Sequence, residues 1–93
     1  SKSSVSNEEH LSRLRNQIDS IDDELLSLIA KRMKVSEEIG SFKKEQNMAV
    51  LQMDRWKTVL NDRIMKGESL GLNAESVKDI FDIIHKDSIE RQF

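Results

Sequence analysis

The stretch LSRLRNQIDSIDDELLSLIAKRMKVSEEIGSF, residues 11–42, decides the fold of this chain. Its apolar residues recur in alternating steps of three and four, at Leu11, Leu14, Ile18, Ile21, Leu25, Leu28, Val35, Ile39 and Phe42, with Arg32 in the remaining slot. This heptad spacing is typical of a long helix that buries one face against other helices. Because a guanidinium stays charged and is costly to bury alone, Arg32 in the stripe needs a partner.

Three helices are predicted along the chain: helix 1 over about 7–46, helix 2 over about 51–66, and helix 3 from about residue 74 to near the C-terminus. Capping residues support these bounds, namely the Ser6/Glu9 capping box, Gly67 at the end of helix 2, and Asn73 before helix 3. The sequence shows no strand pattern and no internal repeat. The predicted class is all-α, with three helices per chain and a long first helix.

The length of helix 1 predicts the quaternary structure. About 40 residues make a helix about 60 Å long, whereas a compact domain of this size has a radius of gyration of only about 12 Å. Two shorter helices cannot cover such a seam, so we expect it to meet the same helix of a second copy. The sequence therefore predicts an intertwined homodimer.

Composition narrows the classes of function. The formal net charge of −2 gives no support for nucleic-acid binding, and no apolar run is long enough to span a membrane. Cysteine is absent and His10 and His85 have no spacing suited to a metal, so we expect neither disulfides nor a metal site, and a cytoplasmic location fits. The Ser-rich start indicates that residues 1–6 are a linker or an expression remnant, with the folded domain over 7–93.

Polar residues interrupt the helix faces in a pattern that predicts a pocket. Arg32 and Lys43 are 11 residues apart and share a face of helix 1, with about 16 Å between them along the axis. Arg15 lies 17 residues before Arg32, too far to serve the same pocket within one subunit. An antiparallel partner helix would bring Arg15 to the pocket of the other subunit.

The other two helices add polar groups. Gln52 and Arg55 share a face of helix 2, and Ser88 and Gln92 replace apolar residues in the stripe of helix 3. Together with the cations of helix 1 they predict a cationic, amide-lined pocket inside a helical bundle. Its ligand would be a small anion with more than one carboxylate.

Each of these residues, taken alone, also has a structural interpretation. Arg32 is typical of a register-setting residue or an interhelical ion pair, and Lys43 of a solvated helix end. Arg15 would be an ordinary surface residue, and Arg55 would pair with a nearby carboxylate. The polar end of helix 3 would be fraying of its apolar stripe. Only their combination favours a binding site.

Four segments in this order resemble the all-helical chorismate mutase family, the AroQ type. They are LRNQIDSIDDELLSLIAKR at 14–32, EEIGSFK at 37–43, DR at 54–55 and IIHKDSIERQ at 83–92. Each motif alone is weak, but together they cover about residues 11–93 with the family spacing between helices. The resemblance implies a Claisen rearrangement of chorismate to prephenate, the committed step toward Phe and Tyr, without cofactor or covalent intermediate.

The resemblance also implies roles for the site residues. Arg32, with Arg15 of the partner subunit, would hold the two substrate carboxylates. Lys43 and Gln92 would be catalytic groups on the ether oxygen, which gains negative charge as its C–O bond breaks.

Further residues would complete the pocket by the same resemblance. Arg55 and Ser88 would support the carboxylate and ring side, and Gln52 would line the pocket. Trp56 stands where many relatives have an acidic or amide residue that contacts the substrate hydroxyl, and its indole cannot accept a hydrogen bond. We therefore expect activity that is present but modest.

Two alternatives stay open at this point. Family members occur fused to other shikimate-pathway enzymes, so the chain would be a regulatory or dimerisation module of a fused DAHP synthase, with weak activity alone. A related enzyme on the same scaffold, isochorismate–pyruvate lyase, is less favoured because its loops are shorter and its contacts to the substrate hydroxyl differ.

Overall fold

A computed structural model describes residues 2–93, with side chains from residue 6 onward. It contains three helices, α1 (Lys2–Glu45), α2 (Met53–Ser69) and α3 (Ala74–Gln92), and no strand within these residues. The predicted all-helical class with a long first helix is confirmed. α1 begins at Lys2 rather than near residue 7, so Ser6 lies inside the helix and the prediction that Ser6 caps it is wrong.

The chain divides into two units, with the boundary in α1 between Lys31 and Arg32. The first unit, as far as it is described, is helical. Its apolar stripe has members between 42% and 61% exposed, namely Leu11, Leu14, Ile18, Ile21, Leu25 and Leu28. The heptad stripe of this unit is therefore uncovered in a single chain.

Two left-handed residues end the helices of the second unit, Arg32–Phe93. Asn47, at φ 54°, follows α1, and the Met48 N–H donates a hydrogen bond to the Lys43 carbonyl at 2.8 Å. Gly71, at φ 84°, follows α2, and the Leu72 N–H donates a hydrogen bond to the Gly67 carbonyl at 2.9 Å. Both ends are Schellman motifs, which need the left-handed conformation that Gly and Asn adopt at least cost.

The prediction that Gly67 ends helix 2 is therefore wrong. Gly67 is buried inside α2, where an added Cβ would lie 2.6 Å from a methyl carbon of Val77 on α3. The residue is small because α2 and α3 pack closely there. The predicted cap of α3 is confirmed, since the Asn73 side chain accepts a hydrogen bond from Ser76 N–H at 3.0 Å.

The second unit packs residues 32–45 of α1 against α3. The buried residues of α1 there are Met33, Ser36 and Gly40, which follow the 3–4 spacing one position beyond the predicted stripe. The stripe residues Val35, Ile39 and Phe42 are instead exposed. Within residues 32–45, α3 therefore packs on the face next to the predicted stripe rather than on the stripe itself. Among the described side chains, the buried apolar core comprises Met33, Val59 and Val77.

Side-chain contacts give the directions of the helices. Ser36 meets Ser88 and Lys43 meets Gln92, so this part of α1 runs parallel to α3. α2 and α3 are antiparallel, because Gly67 lies near Val77 while Trp56 lies near His85. None of the helices described is long and apolar enough to cross a membrane.

Candidate active site

A cavity of about 430 Å³ lies within the second unit and is lined by all three helices and by Val50. This volume falls within the usual range for small-molecule sites. The described residues that line the cavity include four basic side chains, Arg32, Lys43, Arg55 and Arg63, and neither Asp nor Glu. The cavity therefore has the electrostatic character of an anion-binding site.

Arg32 is oriented by two serines at one end of the cavity. Its Nη1 donates a hydrogen bond to Ser88 Oγ at 2.5 Å, and Ser88 Oγ lies 2.8 Å from Ser36 Oγ. Both serines are buried, at 5% exposure each. Burial, and secondly the positive charge of Arg63, lowers the pKa of Arg32. An arginine nevertheless stays protonated, so Arg32 offers a fixed charge and further N–H donors to a ligand.

Lys43 is held at the other end by two acceptors. Its Nζ donates to the Val50 carbonyl at 2.7 Å and to Gln92 Oε1 at 2.9 Å. The approach of Gln92 depends on Gly40, because a Cβ at residue 40 would lie 2.5 Å from the Gln92 Cα. The ammonium is thereby fixed before any ligand arrives.

One face of α2 forms a further wall of the cavity. Gln52, Trp56, Val59 and Arg63 follow steps of four, three and four and all line it. Gln52 is the N-cap residue of α2, but its side chain makes no capping hydrogen bond, so its amide remains available to a ligand. Arg55 lines the cavity from the edge of this face and is itself exposed.

Trp56 and His85 form a stacked pair in the cavity wall. Their ring centroids are 3.7 Å apart and their planes 9° from parallel. Burial, and then the charge of Arg32, lowers the pKa of His85, while the weaker effect of Asp82 opposes this. At neutral pH the imidazole is therefore uncharged, and the wall beside Arg32 is flat and largely apolar.

The structure brings six of the seven predicted site residues to this one cavity, namely Arg32, Lys43, Gln52, Arg55, Ser88 and Gln92. Arg15 lies in the first unit and is exposed. The roles of all seven in binding and catalysis stay predictions. No group of three or more metal-ligating side chains occurs in the part of the chain described.

Three polar residues that line the cavity were not predicted from the sequence: Ser36, Arg63 and His85. Arg63 follows Trp56 by seven residues, a spacing that keeps both on one helix face and would have indicated it. Ser36 gives no comparable signal, because a serine in a charged helical segment is usually solvated.

Comparisons with known proteins found one matching family and several relatives. The profile of the family described as chorismate mutase type II matches residues 14–93. The T-protein of Haemophilus influenzae is 31% identical over 87 residues, which are 91% of this chain and 23% of that protein. The bifunctional chorismate mutase/prephenate dehydratase of Escherichia coli K12 is 31% identical over 88 residues, which are 95% of this chain and 23% of that protein.

The chain thus spans less than a quarter of the length of these relatives. Among solved structures, a conserved hypothetical protein from Pyrococcus furiosus superposes with a TM-score of 0.68 and 28% identity. The superposition covers 89% of this chain and 95% of that one.

Proposed function

The chain belongs to the chorismate mutase type II family, and from this we propose that it rearranges chorismate to prephenate in Phe and Tyr biosynthesis. The observation that carries the proposal is a cavity with four cations and, among its described lining residues, no carboxylate. Chorismate is a compact dianion, and its volume suits a cavity of about 430 Å³.

The reaction is unimolecular, so it requires no cofactor or covalent intermediate. The protein needs only to hold the substrate in its compact reactive conformer and to stabilise charge that develops as the C–O bond breaks. Arg32, oriented by Ser88, would bind one carboxylate at its end of the cavity. Arg55 would support the carboxylate and ring side from the edge of α2.

Lys43 and Gln92 are the proposed catalytic groups. Lys43 has three N–H groups, of which two have acceptors in the described chain, so one is left for the ether oxygen. The Gln92 Oε1 atom accepts a hydrogen bond from Lys43. The NH₂ group of the same amide therefore remains available to donate to the ether oxygen of the substrate. Donors fixed in advance bind the transition state better than the substrate, because only the transition state carries the extra charge.

Gln52 and Trp56 complete the proposed substrate contacts. The Gln52 amide carbonyl can accept a hydrogen bond from the substrate hydroxyl, whereas the Trp56 indole cannot. The stacked Trp56–His85 pair would instead give the substrate ring an apolar wall. Because Trp56 offers no acceptor, the cavity has one acceptor fewer for the substrate hydroxyl than a cavity with an acidic or amide residue at this position. This supports the expectation of modest activity.

We further propose that two copies form an intertwined homodimer. The exposed stripe of α1, from Leu11 to Leu28, supports this, because an apolar face of this size on one helix requires a cover. Arg15 of the second copy would then reach the cavity and bind the other carboxylate. A cytoplasmic location is consistent with this biosynthetic role.

A mixing experiment tests the shared site. Arg15→Gln and Arg32→Gln should each be nearly inactive, but their heterodimer has one cavity with both arginines. After subunit exchange, the mixture should recover about a quarter of wild-type activity, since half the dimers are mixed and each has one complete site of two. Failure to recover activity, with exchange shown by mass spectrometry, would exclude a site shared between subunits.

The activity itself is tested with purified protein and chorismate, by following loss of substrate absorbance and formation of prephenate. Arg32→Gln should abolish turnover, whereas Lys31→Gln, which removes one charge at the exposed neighbouring position, should not. Absence of turnover in the wild type would overturn the proposal.

A second candidate function is a regulatory or dimerisation module of a longer enzyme. The bifunctional description of the Escherichia coli relative supports covalent linkage to another catalytic domain, and a DAHP synthase is the partner we predict. A chain that dimerises and binds prephenate without converting chorismate would favour this module over the enzyme.

A further inference from the structure

We propose that Arg63 is a further substrate-binding residue, which forms with Arg32 a pair of guanidinium groups that hold one carboxylate of the ligand. The inference rests on the proposed function and extends it to a residue that the family resemblance does not assign. Arg63 lines the cavity on the face of α2 that also presents Trp56 and Val59. Its position is thus set by the same helix that forms the cavity wall.

The charges at this end of the cavity are incomplete without an anion. Arg32 is half-buried, and the positive charge of Arg63 lies close enough to lower the pKa of Arg32. Two like charges repel more strongly where water is partly excluded. Asp62 pairs with Arg63 from outside the cavity, but the described lining contains neither Asp nor Glu and no described carboxylate pairs with Arg32, so a ligand anion would supply the counter-charge inside the cavity. A carboxylate between the two guanidinium groups would neutralise the repulsion and accept hydrogen bonds from both.

Arg63 is anchored from outside the cavity. Its Nη1 donates to Asp62 Oδ2, and the same carboxylate oxygen lies 3.1 Å from Lys66 Nζ. A guanidinium has five N–H donors, so this contact leaves others for a ligand. Asp62 therefore limits the motion of the Arg63 side chain without occupying the cavity.

A purely structural role explains the position of Arg63 less well. Asp62 and Arg63 are adjacent on one helix and both are partly exposed, so their ion pair joins no two elements. Exposed pairs of this kind add little to the free energy of unfolding. The ion pair therefore restrains the Arg63 side chain but contributes little to the stability of the fold.

The experiment compares Arg63→Gln with Lys66→Gln. Each variant removes one positive charge and one partner of Asp62, but Lys66 has a 70% exposed side chain and does not line the cavity. We expect Arg63→Gln to raise KM for chorismate about 10-fold to 100-fold, the usual effect of a hydrogen bond to a charged group. Its kcat should change little, because the carboxylate binds alike in ground and transition states. Lys66→Gln should retain the wild-type KM, and Arg63→Lys should be intermediate.

A second readout separates binding from structure. Without ligand, Arg63→Gln should melt no lower than Lys66→Gln, because it relieves repulsion with Arg32. With prephenate, its gain in Tm should be smaller than that of Lys66→Gln. If the wild type is active but Arg63→Gln and Lys66→Gln have the same KM and the same prephenate-induced gain in Tm, the assignment of Arg63 is overturned while the proposed function stands. An inactive wild type would overturn the proposed function and this assignment with it.

Discussion

Gly40 on α1 lies directly against the backbone of Gln92 on α3. A methyl group at residue 40 would stand 2.5 Å from both the Cα and the carbonyl oxygen of Gln92. Backbone atoms cannot rotate away as a side chain does, so this approach requires glycine in spite of its low helix propensity. The contact sets the position of Gln92, and through it the hydrogen bond to Lys43.

Replacement of this glycine should affect stability and activity together. We expect Gly40→Ala to lower the free energy of unfolding by about 1–3 kcal/mol, the usual cost of overpacking, as measured by urea denaturation. Because Gln92 must shift, kcat should fall as well. Gly71→Ala is the control, since its positive φ makes alanine costly by about 1–2 kcal/mol but nothing lies within 4 Å. The kcat/KM of Gly71→Ala should stay at the wild-type value. An equal loss of kcat/KM in both variants would show that the contact between Gly40 and Gln92 has no specific effect on activity.

Lys43 should act mainly on the chemical step. Lys43→Gln removes the fixed charge that we propose acts on the ether oxygen, so kcat should fall about 10²-fold to 10³-fold, as for other preorganised donors. KM should change far less, because the charge on that oxygen appears only in the transition state. Lys44→Gln removes the same charge from the next, exposed position and should leave steady-state kinetics unchanged. A loss confined to KM would assign Lys43 to substrate binding instead.

Ser88 should be a positioning residue for Arg32. Ser88→Ala removes the acceptor 2.5 Å from Arg32 Nη1, so kcat/KM should fall about tenfold, the usual effect of losing one hydrogen bond to a charged group. Ser36→Ala leaves that acceptor in place and should have a smaller effect, although both serines are buried and close together. Equal losses would indicate that packing, rather than the orientation of Arg32, matters at both positions.

His85 predicts a pH dependence of stability. Its pKa is lowered in the folded protein, by burial first and by Arg32 second. The unfolded chain then binds more protons just below the ordinary histidine pKa of about 6.5, so stability is complete above that pH and falls as pH drops through it.

Thermal melting between pH 7.5 and pH 5.5 measures this effect. The Tm of His85→Gln should fall less than that of the wild type over this interval. Parallel curves for the two proteins would show that proton uptake at His85 does not destabilise the fold.

The positions of the helices were predictable from sequence, whereas the packed face of α1 was not. The series that contains Val35, Ile39 and Phe42 has the stronger apolar pattern, yet α3 covers the adjacent face with Met33 and Ser36. Periodicity alone cannot distinguish these faces, because α3 meets α1 partly through polar residues such as Ser88. The more apolar stripe stays exposed in the single chain.

The site was partly predictable for a related reason. Charged residues in apolar slots, such as Arg32, stand out in a sequence, and the resemblance to a known family added others. Arg63 did not stand out, because beside Asp62 it has the pattern of a surface ion pair. Its spacing of seven residues from Trp56 places both side chains on one helix face, but that spacing indicates a cavity residue only if Trp56 is already assigned to the cavity.

Trp56 is the sole tryptophan of the sequence, and it lies in the cavity wall against His85. Its fluorescence consequently originates from one known place, with an aromatic neighbour 3.7 Å away. Emission recorded without any attached dye would therefore respond to entry of a small molecule or to loosening of the stack. The protein thus carries its own optical probe for stopped-flow measurements.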